Sequence, residues 1–515
     1  MVGKPLNENF RIGVIGAGTM GRGITQVAAL GGLSVVLTDA QEGAARDARG
    51  FVEKMLARAV ERKRLEQKDA DDALGRITIA DSLQGLADCD LVIEAIIENL
   101  DIKKKIFKQL EDICRDDTIL ASNTSALPIA AIGAECAHRN RIAGMHFFNP
   151  VPLMRLAEVI YTPFTDGAVI GLLSDVAERM GRTPVRVKDS PGFLANNAGR
   201  AWYTEGLRLA QEQIAPPEDI DRIVRDAGGF RMGPFELIDL VGLDVNYPAN
   251  KSIFEDFFND PRYRPSLDQR LLFEARTLGR KSGRGFYRYG EDNAPLIDPE
   301  PDMPKTLPKK VWIWGHDKTA RAKLAALAKA AGVAVDTAKK PSKGTPALLA
   351  PRTEDATASA LAVSADPARS MAVDTLFGWE TRRTAMTPPG ADESAARTLL
   401  ALLAADGTKV TRINDSPGFI MPRLQAVMTN LAGDICQQGI AAPGDLDIAM
   451  KLGFNYPEGP LEAGDRLGAR LILDMIEALY GYYGDDRYRP SPWLKRRALL
   501  GLSLKTPERT SGSSS

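Results

Sequence analysis

Histidine is scarce in this 515-residue chain: only His138, His146 and His316 occur. No two of them stand at metal-ligand spacing, and the four cysteines (Cys89, Cys114, Cys136, Cys436) form no CxxC pair. A zinc module or a disulfide framework is therefore excluded, and reduced, ordinary thiols with no metal are expected. Charge of either sign is not in excess either, with 66 Lys and Arg against 67 Asp and Glu. No general field exists to hold nucleic acid or an anionic membrane, and any anionic ligand must be met locally. No apolar run approaches the roughly 18 residues of a membrane span, and the start, MVGKPLNENF, has no apolar signal core. A cytoplasmic, soluble protein is expected. Its length is too great for one core and predicts three or four domains.

What is present begins at residues 11–39, RIGVIGAGTMGRGITQVAALGGLSVVLTD. A β-rich run enters a turn carrying Gly16, Gly18 and Gly21, a helix of about three turns follows, and a second strand ends on Asp39, which together make one βαβ unit. Gly16 permits the tight turn, Gly18 lets the backbone approach a pyrophosphate, and Gly21 allows close helix packing. The helix N-terminus supplies amides and a dipole for the anion. Asp39 suits a free ribose hydroxyl pair and would repel a 2′-phosphate, so the cofactor is predicted to be NAD rather than NADP.

An amphipathic helix is expected over 44–68, with Phe51, Met55 and Ala59 and also Val52, Leu56 and Val60 recurring at i, i+4. Its basic side reads as a solvated amphipathic face, with phosphate contact as the alternative. Strand-like segments at 76–79, 91–97, 118–121 and 141–147 alternate with helical ones, which predicts a doubly wound, mostly parallel sheet. Ligands of such sheets sit beyond the carboxyl ends of the strands, here Glu98 and Asn99, the SNTS of 122–125, and the HFFN of 146–149. In GMHFFNPVPLMRLAEVI, His146 closes a strand, two prolines forbid a helix, and an extended return carries Glu158. Twelve residues apart with a turn between, the two side chains can face each other, as a histidine base and its orienting carboxylate must. His138, in a polar loop, and His316 read as inert.

From Asp189 the pattern becomes helical, with starts at Pro191, at Pro216 and Pro217, and at Pro234. Residues 290–308 hold five prolines and no apolar period, the mark of a linker. Thereafter the chain is a worn repeat of its first half. Asp317 and Ala320 replace Gly18 and Gly21, and 358–388 takes the place of the HFFN region without a histidine. DSPGFI at 415–420 repeats DSPGFL at 189–194, and DRYRPS repeats PRYRPS. Pro422 stands where Asn196 stands. The predicted organisation is a Rossmann domain at 1–188, a helical domain at 189–290, the linker at 291–308, a degenerate Rossmann-like domain at 309–414, a second helical domain at 415–505, and a disordered tail at 506–515.

The glycine turn with Met20, EAIIEN, SNTS, HFFNPVPLMRLAEVI, DSPGF with Asn196, and GRKSGRGFY together resemble the L-3-hydroxyacyl-CoA dehydrogenases over about residues 10–290. The resemblance implies NAD-dependent oxidation of an acyl-CoA substrate in the cytoplasm, with His146 as general base, Glu158 orienting it, and Ser125 and Asn196 placing hydroxyl and thioester. Cofactor contacts would fall on the glycine turn with Met20 and on Asp39, Glu98, Lys103, Ser125, Asn149 and Lys281. One departure stands out: Asn197 follows Asn196 where the family usually has arginine, with Arg200 three residues on. The two-copy arrangement resembles the 3-hydroxyadipyl-CoA and 3-hydroxybutyryl-CoA type of phenylacetate catabolism. Many relatives pair helical domains between subunits, so an internal pseudo-dimer of the two helical copies is expected, with further homodimerisation open. Another NAD-dependent hydroxyacid dehydrogenase, or a non-catalytic dinucleotide-binding protein, remain as alternatives.

Overall fold

Five residues of RIGVI, four of them fully buried, form the central strand of the first sheet, as expected of a strand covered on both faces. In the computed structural model, which describes residues 3–508, strands β1 (Arg11–Ile15), β2 (Ser34–Thr38), β3 (Ile77–Ile79), β4 (Leu91–Glu94), β5 (Ile119–Ser122), β6 (Ile142–Phe147), β7 (Leu156–Tyr161) and β8 (Thr183–Lys188) lie in the order 3-2-1-4-5-6-7-8. All neighbours are parallel except β6 and β7, whose antiparallel register sets His146 opposite Glu158. The core under this sheet runs through Val14, Val27, Leu37, Val52, Ile93 and Leu173.

The segment expected as one helix over 44–68 is two, Ala44–Glu61 and Gln67–Gly75. Lys63 takes φ +56° between them, inside the solvated run Arg62 to Arg64 that offers no apolar period to continue the first helix. Of its two apolar rows only Val52 and Leu56 are buried. Phe51 stays 36% exposed under the guanidinium of Arg22.

Residues 438–454 belong to the same compact unit as residues 3–197. Helix Pro443–Gly453 packs on β7 and β8, and the Lys188 amide bonds Ile440 O at 2.8 Å.

The second unit comprises residues 198–437 and 455 onward. A short hairpin joins β9 (Arg288–Tyr289) to β10 (Pro295–Leu296). A six-stranded sheet follows, β11 (Lys310–Gly315), β12 (Ala334–Asp336), β13 (Ala347–Ala350), β14 (Ser370–Val373), β15 (Arg382–Thr387) and β16 (Lys409–Asn414), in the order 12-11-13-14-15-16. It ends like the first sheet, with an antiparallel pair and then a parallel one. Helix Pro217–Asp226 packs on β15, and the Asn414 amide bonds Ile214 O at 2.8 Å, repeating with its own strands what helix Pro443–Gly453 does in the other unit. The proline-rich stretch read as a free linker is pinned here: both Glu300 oxygens bond Arg382, at 2.7 and 2.8 Å.

Helices Arg200–Gln211 and Met421–Gln437 lie against each other in this unit. Arg423, fully buried, bonds Glu205 Oε1 at 2.6 Å, Glu212 at 3.1 Å, and the hydroxyls of Tyr483 and Tyr488 at 2.9 and 2.8 Å. The tail expected to be unstructured from 506 begins with contacts, since Thr506 O accepts from Arg497 and Glu508 pairs with Arg496. Residues 509–515 lie outside those described. No helix among the described residues is long and apolar enough to cross a membrane. No disulfide joins the four cysteines, and burial pushes the thiols of Cys89, Cys114 and Cys136 up to about 12, 11 and 11.

Candidate active site

The glycine turn has the geometry a dinucleotide needs. Gly16 has φ +100°, and a Cβ there would lie 2.5 Å from Ala95 O. One on Gly21 would lie 1.7 Å from Gly16 O. Gly18 is different: nothing in the protein comes within 4 Å of its would-be Cβ. It is the N-cap of helix Thr19–Leu30, no side chain caps that end, and the first turn carries no acid. The space beside Gly18 is open and no side chain caps the first turn, which fits a pyrophosphate bound at that helix end. Met20 is half-buried against the core below. Asp39 folds back so that Oδ2 accepts from the Ala17 amide at 2.6 Å, tying the end of β2 to the turn.

Behind the turn, the end of β4 carries a residue that the sequence reading passed over. Glu94 is fully buried. Its Oε1 accepts from Lys103 Nζ at 2.7 Å and from the Ile96 amide at 2.8 Å, and its Oε2 accepts from Ser122 Oγ at 2.6 Å. Lys103, 1% exposed, also lies 3.2 Å from Glu98. Glu98 in turn takes the Thr124 hydroxyl at 2.6 Å and the Ser125 amide at 2.9 Å. Burial acts to raise the Glu98 carboxyl, but the Thr124 bond, Lys103 and the Ser125 amide outweigh it and hold it low. Lys103 thus fixes two carboxylates at the end of β4 and in the loop that follows it, and exposed Ser125 hangs from the second. Asn99 is a helix cap, accepting from the Ile102 amide at 3.1 Å.

On β6 and β7, His146 Nδ1 lies 2.6 Å from Glu158 Oε2. Glu158 is fully buried, and its Oε1 accepts from the amides of Leu194 and Ala195 at 3.1 and 2.8 Å. Those amides are aimed by an elbow in DSPGF where Gly192 and Phe193 both take positive φ, +70° and +50°. For phenylalanine that conformation costs on the order of 1 kcal/mol. Rings of Phe148 and Phe193 stand 4.5 and 5.9 Å from the imidazole. Asn196 follows directly in the short helix Ala195–Ala198, half-buried, and Asn149 is exposed just past the end of β6. Lys281 falls in the other compact unit, where it bonds Asp244 at 2.8 Å. His138 is an exposed loop residue whose amide bonds Glu111.

The second sheet repeats this frame without its chemistry. Counting back from the shared DSPGF, Thr384 stands where Glu158 stands, and Asp374 is bonded across to it through its backbone amide, as His146 faces Glu158. At the former glycine turn, Asp317 Oδ1 accepts from the Ala320 amide at 2.7 Å, so the helix caps itself. His316 Nδ1 lies 3.0 Å from Ala350 O, and its Nε2 lies 2.9 Å from Asp317.

A Rossmann sheet with an open glycine turn, an acid ending β2, and a histidine–carboxylate pair at the strand ends defines a dinucleotide-dependent dehydrogenase. The family profile described as 3-hydroxyacyl-CoA dehydrogenase, NAD binding domain, matches residues 11–190, and that of the 3-hydroxyacyl-CoA dehydrogenase C-terminal domain matches twice, at 192–289 and 418–510. The chain belongs to the 3-hydroxyacyl-CoA dehydrogenase family, and its cofactor is NAD. It is 37% identical over 492 residues, 95% of this chain and 97% of the other, to the 3-hydroxyadipyl-CoA dehydrogenase of Escherichia coli K12. It is 42% identical over 280 residues, 54% of this chain and all of the other, to a probable 3-hydroxybutyryl-CoA dehydrogenase of Deinococcus radiodurans. The crystal structure of an Escherichia coli K12 3-hydroxybutyryl-CoA dehydrogenase superposes with a TM-score of 0.84 at 36% identity, covering 96% of this chain and 99% of that one.

Proposed function

We propose that His146 is the general base of an NAD-dependent oxidation of an L-3-hydroxyacyl-CoA to the 3-ketoacyl-CoA. One observation carries the reading: a buried imidazole whose Nδ1 lies 2.6 Å from a carboxylate that two backbone amides hold in place. Nδ1 is thereby committed, and Nε2 is left to take the hydroxyl proton while the C3 hydrogen departs with its electron pair. Bound NAD supplies the acceptor for that hydride. Glu158 offsets the positive charge that grows on the ring, and the two phenylalanines shield its sides from water.

In this reading Asn196 and Ser125 place the thioester and hydroxyl. Gly16, Gly18, Met20, Gly21, Asp39, Glu98, Ser125 and Asn149 meet the cofactor. Lys103 is a positioning residue acting through Glu94 and Glu98. The acyl group is 3-hydroxyadipyl or 3-hydroxybutyryl, since relatives spanning nearly the whole chain carry those two names, and the work is done in the cytoplasm during aromatic or fatty acid breakdown. The second half serves as a scaffold: helix Met421–Gln437 gives helix Arg200–Gln211 the partner that a second subunit would otherwise supply. The buried Arg423–Glu205 pair supports this.

NADH formation by the purified protein from a panel of 3-hydroxyacyl-CoAs tests the activity. His146→Gln is expected to lower turnover by about two to four decades with NAD affinity nearly unchanged. A variant with wild-type turnover removes the role. A chain truncated after Gly290 is expected to aggregate or dimerise, and a stable, fully active monomer would overturn the scaffold reading.

A further inference from the structure

Arg262 and Arg487 hold the same place in the two copies PRYRPS and DRYRPS, yet they end in different company. Asp260 grips Arg262 through Nε at 3.0 Å and Nη2 at 2.6 Å, and Nη1 lies 2.7 Å from Asp434. Arg487 is as deeply buried, 5% exposed against 7%. The aspartate that matches Asp260 is Asp485, and it caps only the Arg487 backbone amide, at 3.0 Å. Its Oδ2 turns to Arg208, at 2.8 Å, and to Arg264, at 3.5 Å. The residue that matches Asp434 is Arg208, a like charge.

What remains for the Arg487 guanidinium is weak. Thr204 O is 3.5 Å away, and Glu205 Oε2, the nearest carboxylate oxygen, is 3.8 Å away. Its Nε has no hydrogen-bond partner among the described residues. Burial pushes its pKa down.

Beside Arg487 lies a cavity of about 470 Å³, lined by Arg208, Arg264, Thr204, Glu212 and Ser266 as well. In the ion-paired network around it, four guanidiniums (Arg208, Arg264, Arg423, Arg487) meet three carboxylates (Glu205, Glu212, Asp485), which leaves one positive charge over. Arg264 is half exposed at the opening, 3.5 Å from Asp485. Ser266 and Leu267, at the start of helix Leu267–Glu274, complete the rim. Glu212 and Asp485 line the cavity too and hold Arg208, so an oxyanion here would be met chiefly by the guanidiniums of Arg487 and Arg264, groups suited to phosphate.

We propose that this cavity binds a phosphate-type oxyanion, which gives Arg487 the acceptors that Asp260 and Asp434 give Arg262. Free phosphate and the terminal phosphate of a nucleotide share that chemistry, and the volume admits either. The bound anion joins segments of both helical copies, so it stabilises their pairing.

The test uses the full chain saturated with NADH, so that the glycine turn is already filled, and titrates inorganic phosphate at constant ionic strength. Calorimetry is expected to show saturable binding, with the thermal midpoint raised by about 2 °C at ten times Kd and no such rise with chloride. Arg264→Gln is expected to weaken phosphate binding about tenfold and to leave NADH-linked turnover as it was. Leu267→Glu, which offers the cavity a carboxylate from an exposed helix start, is expected to raise the midpoint without phosphate and to erase the phosphate response. In a parallel titration with ADP, affinity well above that of phosphate and equally dependent on Arg264 identifies a nucleotide, and equal or lower affinity identifies free phosphate. A phosphate response no larger than that of chloride, or one that survives in both variants, overturns the proposal.

Discussion

Glu158 faces His146 across an antiparallel strand pair, takes its Nδ1 at 2.6 Å with one oxygen, and rests the other on the amides of Leu194 and Ala195. The carboxylate therefore stays in place without the histidine, and its charge is separable from its position. Glu158→Gln keeps an acceptor for the two amides and removes the charge. Turnover is expected to fall about tenfold to a thousandfold, less than for His146→Gln, with the melting midpoint changed by only a few degrees. Steady-state NADH formation and a thermal scan check both halves, and a Gln variant as inactive as the histidine variant would show that the base depends wholly on the carboxylate that accepts from Nδ1.

The glycine turn separates binding from folding in a similar way. A side chain at Gly18 would meet nothing in the protein, whereas one at Gly21 would strike Gly16 O at 1.7 Å. Gly18→Val should thus fold with an unaltered midpoint and lose at least about tenfold in NAD affinity, because the new methyls occupy the approach to the helix amides. Gly21→Val should lose the fold of the turn itself. Fluorescence titration of NADH with parallel thermal melts distinguishes the two, and full NADH affinity in Gly18→Val would place the pyrophosphate elsewhere.

Arg423 makes the largest demand on the pairing of the two helical copies. Its guanidinium is fully buried on Glu205, Glu212 and two tyrosine hydroxyls. Arg423→Met leaves Glu205 buried with its main counter-charge gone, at a cost of roughly 3–5 kcal/mol. The double variant with Glu205→Gln should recover a good part of that loss, since the orphaned charge goes with it. Chemical denaturation of the three variants gives the coupling, and strictly additive losses would mean that the pair does not act as a unit.

Sequence reached furthest where geometry is short-range. The glycine turn and Asp39 are fixed by one βαβ unit, and His146 and Glu158 meet because a proline-bearing turn closes an antiparallel pair that sets residues twelve apart opposite each other. Glu94 escaped notice because it ends an apolar run and reads as the last residue of a strand. Lys103 sits among Lys104 and Lys105 in a charged helix, and nothing in its neighbours marks it as the one lysine that is 1% exposed. The amides that hold Glu158 are backbone groups, which no residue type announces. Their only signal was the Gly192–Phe193 elbow, legible as a turn but not as one bearing on a strand thirty-five residues back. The placement of helices Pro217–Asp226 and Pro443–Gly453, each on its own sheet, depends on contacts between distant parts of the chain. Periodicity carries no information about those.

Asp374 shows what replaced the catalytic pair in the worn copy, and it makes the pH dependence of stability testable. Its Oδ1 accepts from the amides of Leu376 and Phe377, its Oδ2 has no hydrogen-bond partner among the described residues, and burial pushes its pKa up to about 7. Asp221, buried under Tyr287 and two amides, is likewise pushed up to about 7. An unfolded aspartate titrates near 3.9. Between pH 4 and 7 these two groups therefore hold protons in the fold that the unfolded chain has released, and their contribution to stability falls as pH rises through that window. Lys323, whose ammonium bonds Thr375 O at 2.8 Å, softens the effect at Asp374 without cancelling it. Asp374→Asn removes the ionisation. It is expected to be more stable than wild type by roughly 2–4 kcal/mol at pH 8, equal to it near pH 4, and flatter between. Thermal melts of both proteins across pH 4 to 8 decide the matter, and parallel curves would mean that Asp374 is ionised in the fold throughout.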